Sequence, residues 1–309
     1  MITVFGSVVL DLVTNVPAFP TPGESVLVES FTLLPGGKGA NQALAAKRAG
    51  ADVRFVGSVG DDDFGRQALE NLTSEGVDLS ALGRDSSRPT ACATVCVAPN
   101  GNNQIVIAAG ANFATQNDML HDAWLQPGEI LQMQLEIPFD DVWQAIKRAN
   151  AAGATTILNA APFAPVPADI LHSLDILNVN EVEAAMLAAN HDMASEDLPA
   201  LAKSLATRFG LTMVITLGGG GVICATASKF LHANALAIEP IDTVGAGDAF
   251  AGAFAAALAN ELDLGNCLQW GIVAGSLACL GAGAQNSLPK KDKIIQHIQE
   301  VMVSEETIK

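Results

Sequence analysis

The chain has 309 residues, 50% of them hydrophobic and 16% charged, so it can bury a large core without disulfides or a structural metal. A formal net charge of −17, with only 16 Lys and Arg spread thinly, speaks against nucleic acid and anionic membranes as partners. Five cysteines, at 92, 96, 224, 267 and 279, read as small core fillers, and an opening Met1-Ile2-Thr3-Val4 without a basic or signal-like apolar region makes the cytoplasm the expected compartment.

Along the chain, apolar runs of strand length alternate with helical patterns. Ile2–Val9 precedes Ala40–Ala49, Val53–Val59 precedes Phe64–Glu75, and Ile130–Leu135 precedes Asp140–Ala151. Further on come Thr155–Asn159, Ile176–Asn178 with Glu181–Ala188, and Leu201–Phe209 with Met213–Leu217. That βαβ rhythm predicts an α/β fold in which helices cover both faces of a mainly parallel sheet, with ligands at the carboxyl ends of its strands. Two stretches break it. Ser25–Leu34 alternates like a strand after a Pro-rich turn, and Ala91–Ala98 and Gln104–Ala108 flank Asn100-Gly101, a hairpin signal. These predict an antiparallel sheet outside the main one, placed to act as a lid. The weakly charged segment Cys267–Ala284 reads as a tightly packed core helix rather than a membrane span, because it is rich in Gly, Ala and Ser.

Asp242-Thr243-Val244-Gly245-Ala246-Gly247-Asp248 leads into a small-residue helix and is the most chemical stretch of the chain. Gly245 and Gly247 permit a tight turn with bare N–H groups, and the helix start adds partial positive charge, which together favour an anion. An acid in such a place would repel phosphate unless it acts as a base. Asp248 is therefore expected to take a proton from a hydroxyl while the amides of Gly245, Ala246 and Gly247 hold the negative charge, a design for phosphoryl transfer. Neither a Rossmann G-x-G-x-x-G nor a Walker loop is present, since Phe250 and Gln42 stand at the required glycine positions and Thr32 lies upstream of Gly37-Lys38. Gly36-Gly37-Lys38-Gly39-Ala40-Asn41-Gln42-Ala43 opens a helix after the lid strand and suits a polyol.

Taken together, Gly36–Ala43, the Asp242–Asp248 loop, Asn159-Ala160-Ala161-Pro162 and Asn180-Glu181-Val182-Glu183 resemble the ribokinase family of carbohydrate kinases, the PfkB-like enzymes. The resemblance runs in order from Gly6 to Pro289. It implies a three-layer ribokinase-like fold with a small β-sheet lid, residues 1–11, 38–88 and 112–309 forming the core and 12–37 and 89–111 the lid. It implies an ATP-dependent kinase that passes the γ-phosphoryl group to a hydroxyl of a pentose or related sugar, ribose first. A deoxyribose or nucleoside kinase of the same family is the alternative within the class, and a non-catalytic sugar- or nucleotide-binding sensor the alternative outside it.

By the same resemblance Asp248 is the base, and Asp11, Gly36, Gly37, Lys38, Asn41 and Glu136 bind the sugar. Asn180 and Glu183 organise Mg²⁺ and the ATP phosphates, while Thr216, Gly218, Gly219, Gly221 and Gly247 meet the nucleotide. Asp242 and Ser287, with the carbonyls of Val244, Ala278, Gly281 and Gly283, form a monovalent-cation site usually filled by K⁺. The lid is implied to pair with its counterpart in a homodimer. One departure concerns specificity: the family carries Asn two residues before the sugar-binding Asp, and this chain has Val9.

Overall fold

The alternation of strands and helices persists in the computed structural model, which describes residues 1–100 and 102–308. Among those residues the strands are β1 (Ile2–Phe5), β2 (Val9–Asn15), β3 (Thr32–Gly36), β4 (Val53–Val56), β5 (Ser58–Gly60), β6 (Gly83–Asp85), β7 (Cys92–Val97) and β8 (Asn103–Ala108). They continue as β9 (Ile130–Met133), β10 (Thr155–Asn159), β11 (Ile176–Asn180), β12 (Thr212–Thr216), β13 (Val222–Ala225), β14 (Lys229–Ala233) and β15 (Val303–Thr307). The α-helices are α1 (Lys38–Arg48), α2 (Asp63–Ala68), α3 (Glu70–Ser74), α4 (Phe139–Ala152), α5 (Ala168–Leu171), α6 (Glu181–Asn190), α7 (Leu198–Phe209), α8 (Ala246–Ala259), α9 (Leu264–Ala278) and α10 (Lys291–His297).

Among the described residues nine strands form the main sheet, in the order β15-β14-β13-β12-β11-β10-β9-β1-β4. From β12 to β4 every pairing is parallel, and β13, β14 and β15 complete the sheet in antiparallel fashion. The change has a local cause. Leu217–Gly221 is too short for a helical crossover, so the chain turns straight back from β12 into β13. Alternate side chains divide between two cores: Ile130 of β9 joins the cluster under α1, α8, α9 and α10, while Leu131 and Met133 join the cluster under α4 to α7. The three layers follow from that division.

Local signals set the helix ends. Asn180 and Glu183 form a reciprocal capping box on α6, Asp197 caps α7, and Gly210 ends α7 at φ 73°. Helix α8 is buried from Asp248 to Ala257, and its small residues let neighbours approach closely. Gly252 is the tightest point, where an added Cβ would stand 2.5 Å from Ala45 Cβ and from the Gln42 carbonyl. This contact holds α8 against α1.

A second sheet has the order β3-β2-β7-β8. Its two outer pairings are antiparallel, but β2 and β7 run parallel, which corrects the expectation of a wholly antiparallel sheet. The physical reason is that the apolar run from Ile2 is two strands: β1 stays in the main sheet, and the chain bends at Gly6–Val8 before β2 enters the second one. Asn112 holds that bend, accepting from Val8 N–H at 3.0 Å and donating to the Val8 carbonyl at 3.0 Å. Two other expectations are trimmed. The strand foreseen over Ser25–Leu34 begins only at Thr32, and the helix foreseen over Phe64–Glu75 is two short helices, α2 and α3, that meet at Leu69. Strands β7 and β8 pair as foreseen around Asn100-Gly101, although Gly101 lies outside the described residues. The helix foreseen over Cys267–Ala284 is the largely buried α9, which ends at Ala278, and among the described residues no helix is long and apolar enough to cross a membrane.

Candidate active site

The carboxyl ends of β1, β9, β10, β11 and β12 lead into Ser7, Gln134 and Glu136, Asn159, Asn180 and Thr216, so the central strands deliver polar groups to one edge of the sheet. Helix α8 begins at that edge. Gly245 takes φ +80° at its N-cap, where an added Cβ would lie 2.8 Å from Ala284 Cα, so the turn requires glycine both for conformation and for space. Among the described residues, the N–H groups of Gly245 and Gly247 donate to no protein group, while that of Ala246 is turned to the Thr243 carbonyl at 3.2 Å. Nothing lies within 4 Å of the Cβ position of Gly247. Two free amides at a helix start therefore face an open cleft.

Asp248 sits in the first turn of α8 and is 6% exposed. Asn41 Nδ2 donates to its Oδ2 at 2.9 Å, and Gln42 Nε2 donates to its Oδ1 at 2.9 Å. Both amides come from α1, locked against α8 through Gly252. Asn41 is itself held, because its Oδ1 accepts from Gln285 at 3.1 Å, which leaves one amide hydrogen for any further partner. Lys38, at the start of the same helix, is half-buried; the Asp248 charge holds its ammonium above the ordinary value against the opposing effect of burial, with Glu136 and Glu183 adding to the rise. A cavity of about 230 Å³ is lined by Lys38, Asn159, Asn180, Glu183, Gly247 and Asp248, among others. One cation, two carboxylates and free amides thus share a small polar space.

Asp11, Gly36, Gly37, Asn41 and Glu136 do not line that cavity but are joined to it through Lys38 and Asp248. Asp11 lies on β2 against Gly36, where an added Cβ would be 2.5 Å from Asp11 Oδ2. Burial, aided by the Glu136 charge, pushes the Asp11 carboxyl up to about 7. Glu136 accepts at Oε2 from Ser7 Oγ at 2.6 Å and from Lys38 N–H at 2.9 Å, which ties the end of β9 to the start of α1. Val9 stands two residues before Asp11 on the same face of β2, is 3% exposed, and packs with Ala91, Ala93 and Val95.

On the other side, a cavity of about 420 Å³ runs from Thr216, Gly218, Gly219 and Gly221 to Leu236, Ile238, Phe250 and Ile272. It shares Thr216, Thr243 and Gly247 with the polar cavity, so an apolar slot opens directly into the turn that carries the free amides. Asn180 and Glu183 line the polar cavity only, and their capping box has Glu183 Oε2 accepting from Asn180 N–H at 2.8 Å. Burial raises the Glu183 carboxyl above its usual range, with the Asp248 charge adding and the Asn180 bond and Lys38 opposing.

The proposed cation residues meet at the rear of the turn. Asp242 Oδ1 accepts from Val244 N–H at 3.0 Å and Oδ2 from Gly283 N–H at 2.9 Å, while Ser287 Oγ donates to the Gly283 carbonyl at 2.8 Å. The Cys279 carbonyl accepts from Ile241 N–H, so the segments after α9 and before α8 run together. Sequence reasoning did not single out Ser7, Gln42, Asn112 or Gln285 as site residues. The missed signal was polar residues in stretches otherwise buried, such as Gln132-Met133-Gln134 in and just past a central strand.

Against known proteins, the chain matches the model of the pfkB family carbohydrate kinases over residues 1–291. It is 33% identical over 301 residues to the ribokinase of Haemophilus influenzae, covering 96% of this chain and 98% of that one. It is 29% identical over 300 residues to the deoxyribokinase of Salmonella typhimurium, with 96% and 98% covered. The structure of Arabidopsis thaliana ribokinase complexed with ribose and ATP superposes with a TM-score of 0.87 at 30% identity, covering 96% and 98%.

Proposed function

The chain belongs to the pfkB family of carbohydrate kinases and is a ribokinase-like phosphotransferase acting on a sugar hydroxyl; on that premise we propose that it transfers the γ-phosphoryl group of ATP to a pentose, with Asp248 as the base. The observation that carries the assignment is a buried carboxylate at a helix start beside two unpartnered amides. Asp248 removes the proton from the attacking hydroxyl. Charge that gathers on the transferring group is met by the Gly245 and Gly247 amides and by Lys38, so catalysis is mostly positioning and charge stabilisation. The apolar slot suits the adenosine, with Thr216, Gly218, Gly219 and Gly221 along it, and the Asp11–Glu136 side suits the sugar hydroxyls. Ala246 contributes to the turn rather than through its N–H, which is already engaged.

Glu183 and Asn180 fit Mg²⁺ held through water, since a carboxylate and an amide oxygen flank the polar cavity and Mg²⁺ keeps much of its hydration. The ion, when bound with ATP, supplies charge neutralisation at the phosphates. Asp242 and Ser287, with the Val244, Ala278, Gly281 and Gly283 carbonyls, form an all-oxygen donor set that fits K⁺, which would stiffen the turn carrying the free amides. Loss of turnover when Na⁺ replaces K⁺ is the expected outcome; unchanged turnover would remove the cation from the proposal.

Ribose is the first acceptor to test. 2-Deoxyribose is the second reading, favoured by Val9, which offers no hydrogen bond on the face of β2 that carries Asp11, and by the likeness to a deoxyribokinase. An ADP-release assay over ribose, 2-deoxyribose, fructose and nucleosides, with and without K⁺, decides the acceptor. Asp248→Asn is expected to abolish turnover while ATP still binds by calorimetry; near-normal turnover would overturn the base assignment. The lid is proposed to mediate a homodimer, because Ile105, Val106 and Ile107 on its outer strand β8 are exposed. The cytoplasm remains the proposed compartment.

A further inference from the structure

Behind the proposed base lies a buried set of side-chain amides that none of the motifs explains. Gln42 Nε2 donates to Asp248 Oδ1 at 2.9 Å and to Asn159 Oδ1 at 3.0 Å. Its Oε1 accepts from Gln132 Nε2 at 2.9 Å and from Gln134 at 2.6 Å. All four hydrogen-bonding positions of this amide are filled, and Gln42, Gln132 and Gln134 are each 0% exposed. On the opposite carboxylate oxygen, Asn71 donates to Gln285, Gln285 to Asn41, and Asn41 to Asp248.

The polarity of the first relay is dictated by its end. An ionised carboxylate only accepts, so Gln42 must turn its nitrogen to Asp248, its oxygen must face β9, and both Gln132 and Gln134 must present nitrogen. The cost is visible, since the Oε1 atoms of Gln132 and Gln134 are buried without partners. Two orphaned acceptors lower stability, each by an amount comparable to a lost hydrogen bond. A core selected for stability alone would fill this space with apolar side chains.

We propose that Gln42 is the positioning residue of the phosphoryl transfer, fixing the Asp248 carboxylate so that its free lone pair faces the sugar hydroxyl. Gln132 and Gln134 hold Gln42 in turn. The inference rests on Asp248 being the base. Donors aligned on a carboxylate before the substrate arrives remove the need to reorient it during reaction, and a misplacement of about 1 Å costs on the order of 100-fold in rate. The charged groups facing this carboxylate are Lys38 from α1 and Glu183 from α6; the remaining partners are neutral amides.

Gln42→Met removes both donors, and Gln42→Glu keeps the size but opposes the carboxylate with another acceptor. Both are expected to lower kcat by about 10- to 100-fold while the KM values for sugar and ATP stay within about threefold. As pH falls, the carboxyl introduced by Gln42→Glu gains a proton to donate, so its deficit shrinks relative to that of Gln42→Met, which a purely structural role would not produce. ATP affinity by calorimetry reports the fold of each variant. If position 42 does not tolerate change, Gln134→Met loosens Gln42 from behind and is expected to lower kcat with KM unmoved. A folded variant with wild-type kcat, or one in which KM rises and kcat does not fall, overturns the inference. Asp248→Asn is measured alongside: if it is active the base reading fails, whereas an inactive Asp248→Asn with a fully active Gln42→Met defeats the positioning role alone.

Discussion

Asp11 is the proposed sugar ligand whose acidity burial shifts furthest from its ordinary value. Its carboxyl titrates at about 7 when folded against 3.8 ordinarily, so between about 4 and about 7 the native state binds more protons than the unfolded chain. Its contribution to stability is therefore fully present below pH 4 and is lost as pH rises through 7. Asp11→Asn, which carries no charge to bury, is expected to melt higher relative to the native chain at alkaline pH than at acid pH, as a pH series of thermal scans would show. The same substitution is expected to raise the sugar KM about tenfold above pH 7, where the carboxylate is the stronger acceptor. Val9→Asn is expected to raise the kcat/KM ratio of ribose over 2-deoxyribose by about tenfold, because it adds a hydrogen-bonding group on the face of β2 that carries Asp11.

At the scale of elements, the site depends on how closely α8 can approach α1. Asn41 and Gln42 reach Asp248 only because Gly252 lets the Gln42 carbonyl and Ala45 lie against α8. Gly252→Ala is expected to cost about 1–3 kcal/mol of stability, measured by denaturant unfolding, and to lower kcat as well, because the helices must part where the amides meet the carboxylate. Gly245→Ala acts on the turn itself. A left-handed residue with a Cβ 2.8 Å from Ala284 Cα cannot keep the Gly247 amide in place, so turnover is expected to fall at least as far while the melting temperature changes less. Both glycines stood out in the sequence as parts of glycine-rich or small-residue stretches. Which helix each one admits was not readable, because i, i+3 and i+4 spacing describes a face and never names its partner.

For the whole molecule, the two sheets divide the proposed work: the carboxyl edge of the nine-stranded one leads into the apolar slot and the turn before α8, and the four-stranded one carries Asp11 and Gly36. The outer strand of the smaller sheet leaves Ile105, Val106 and Ile107 exposed in succession, Val106 at 73%. Val106→Asp is expected to give a monomer by sedimentation if the proposed lid dimer exists, with a rise in sugar KM as the lid loses its support. The sequence alone determined the fold class, the glycine turn before α8 at Gly245–Asp248 and the helix start at Gly36–Asn41, because glycine conformation and strand alternation are local properties written in neighbouring residues. Tertiary structure decided which of these would meet. It turned Ile2–Val9 into two strands, made β2 and β7 parallel, and joined Gln132, Gln134, Gln42 and Asp248, of which Gln42 and Asp248 stand 206 positions apart. Hydrogen bonds between buried amides have no sequence period, so only the packing that excludes water from them can reveal their partners.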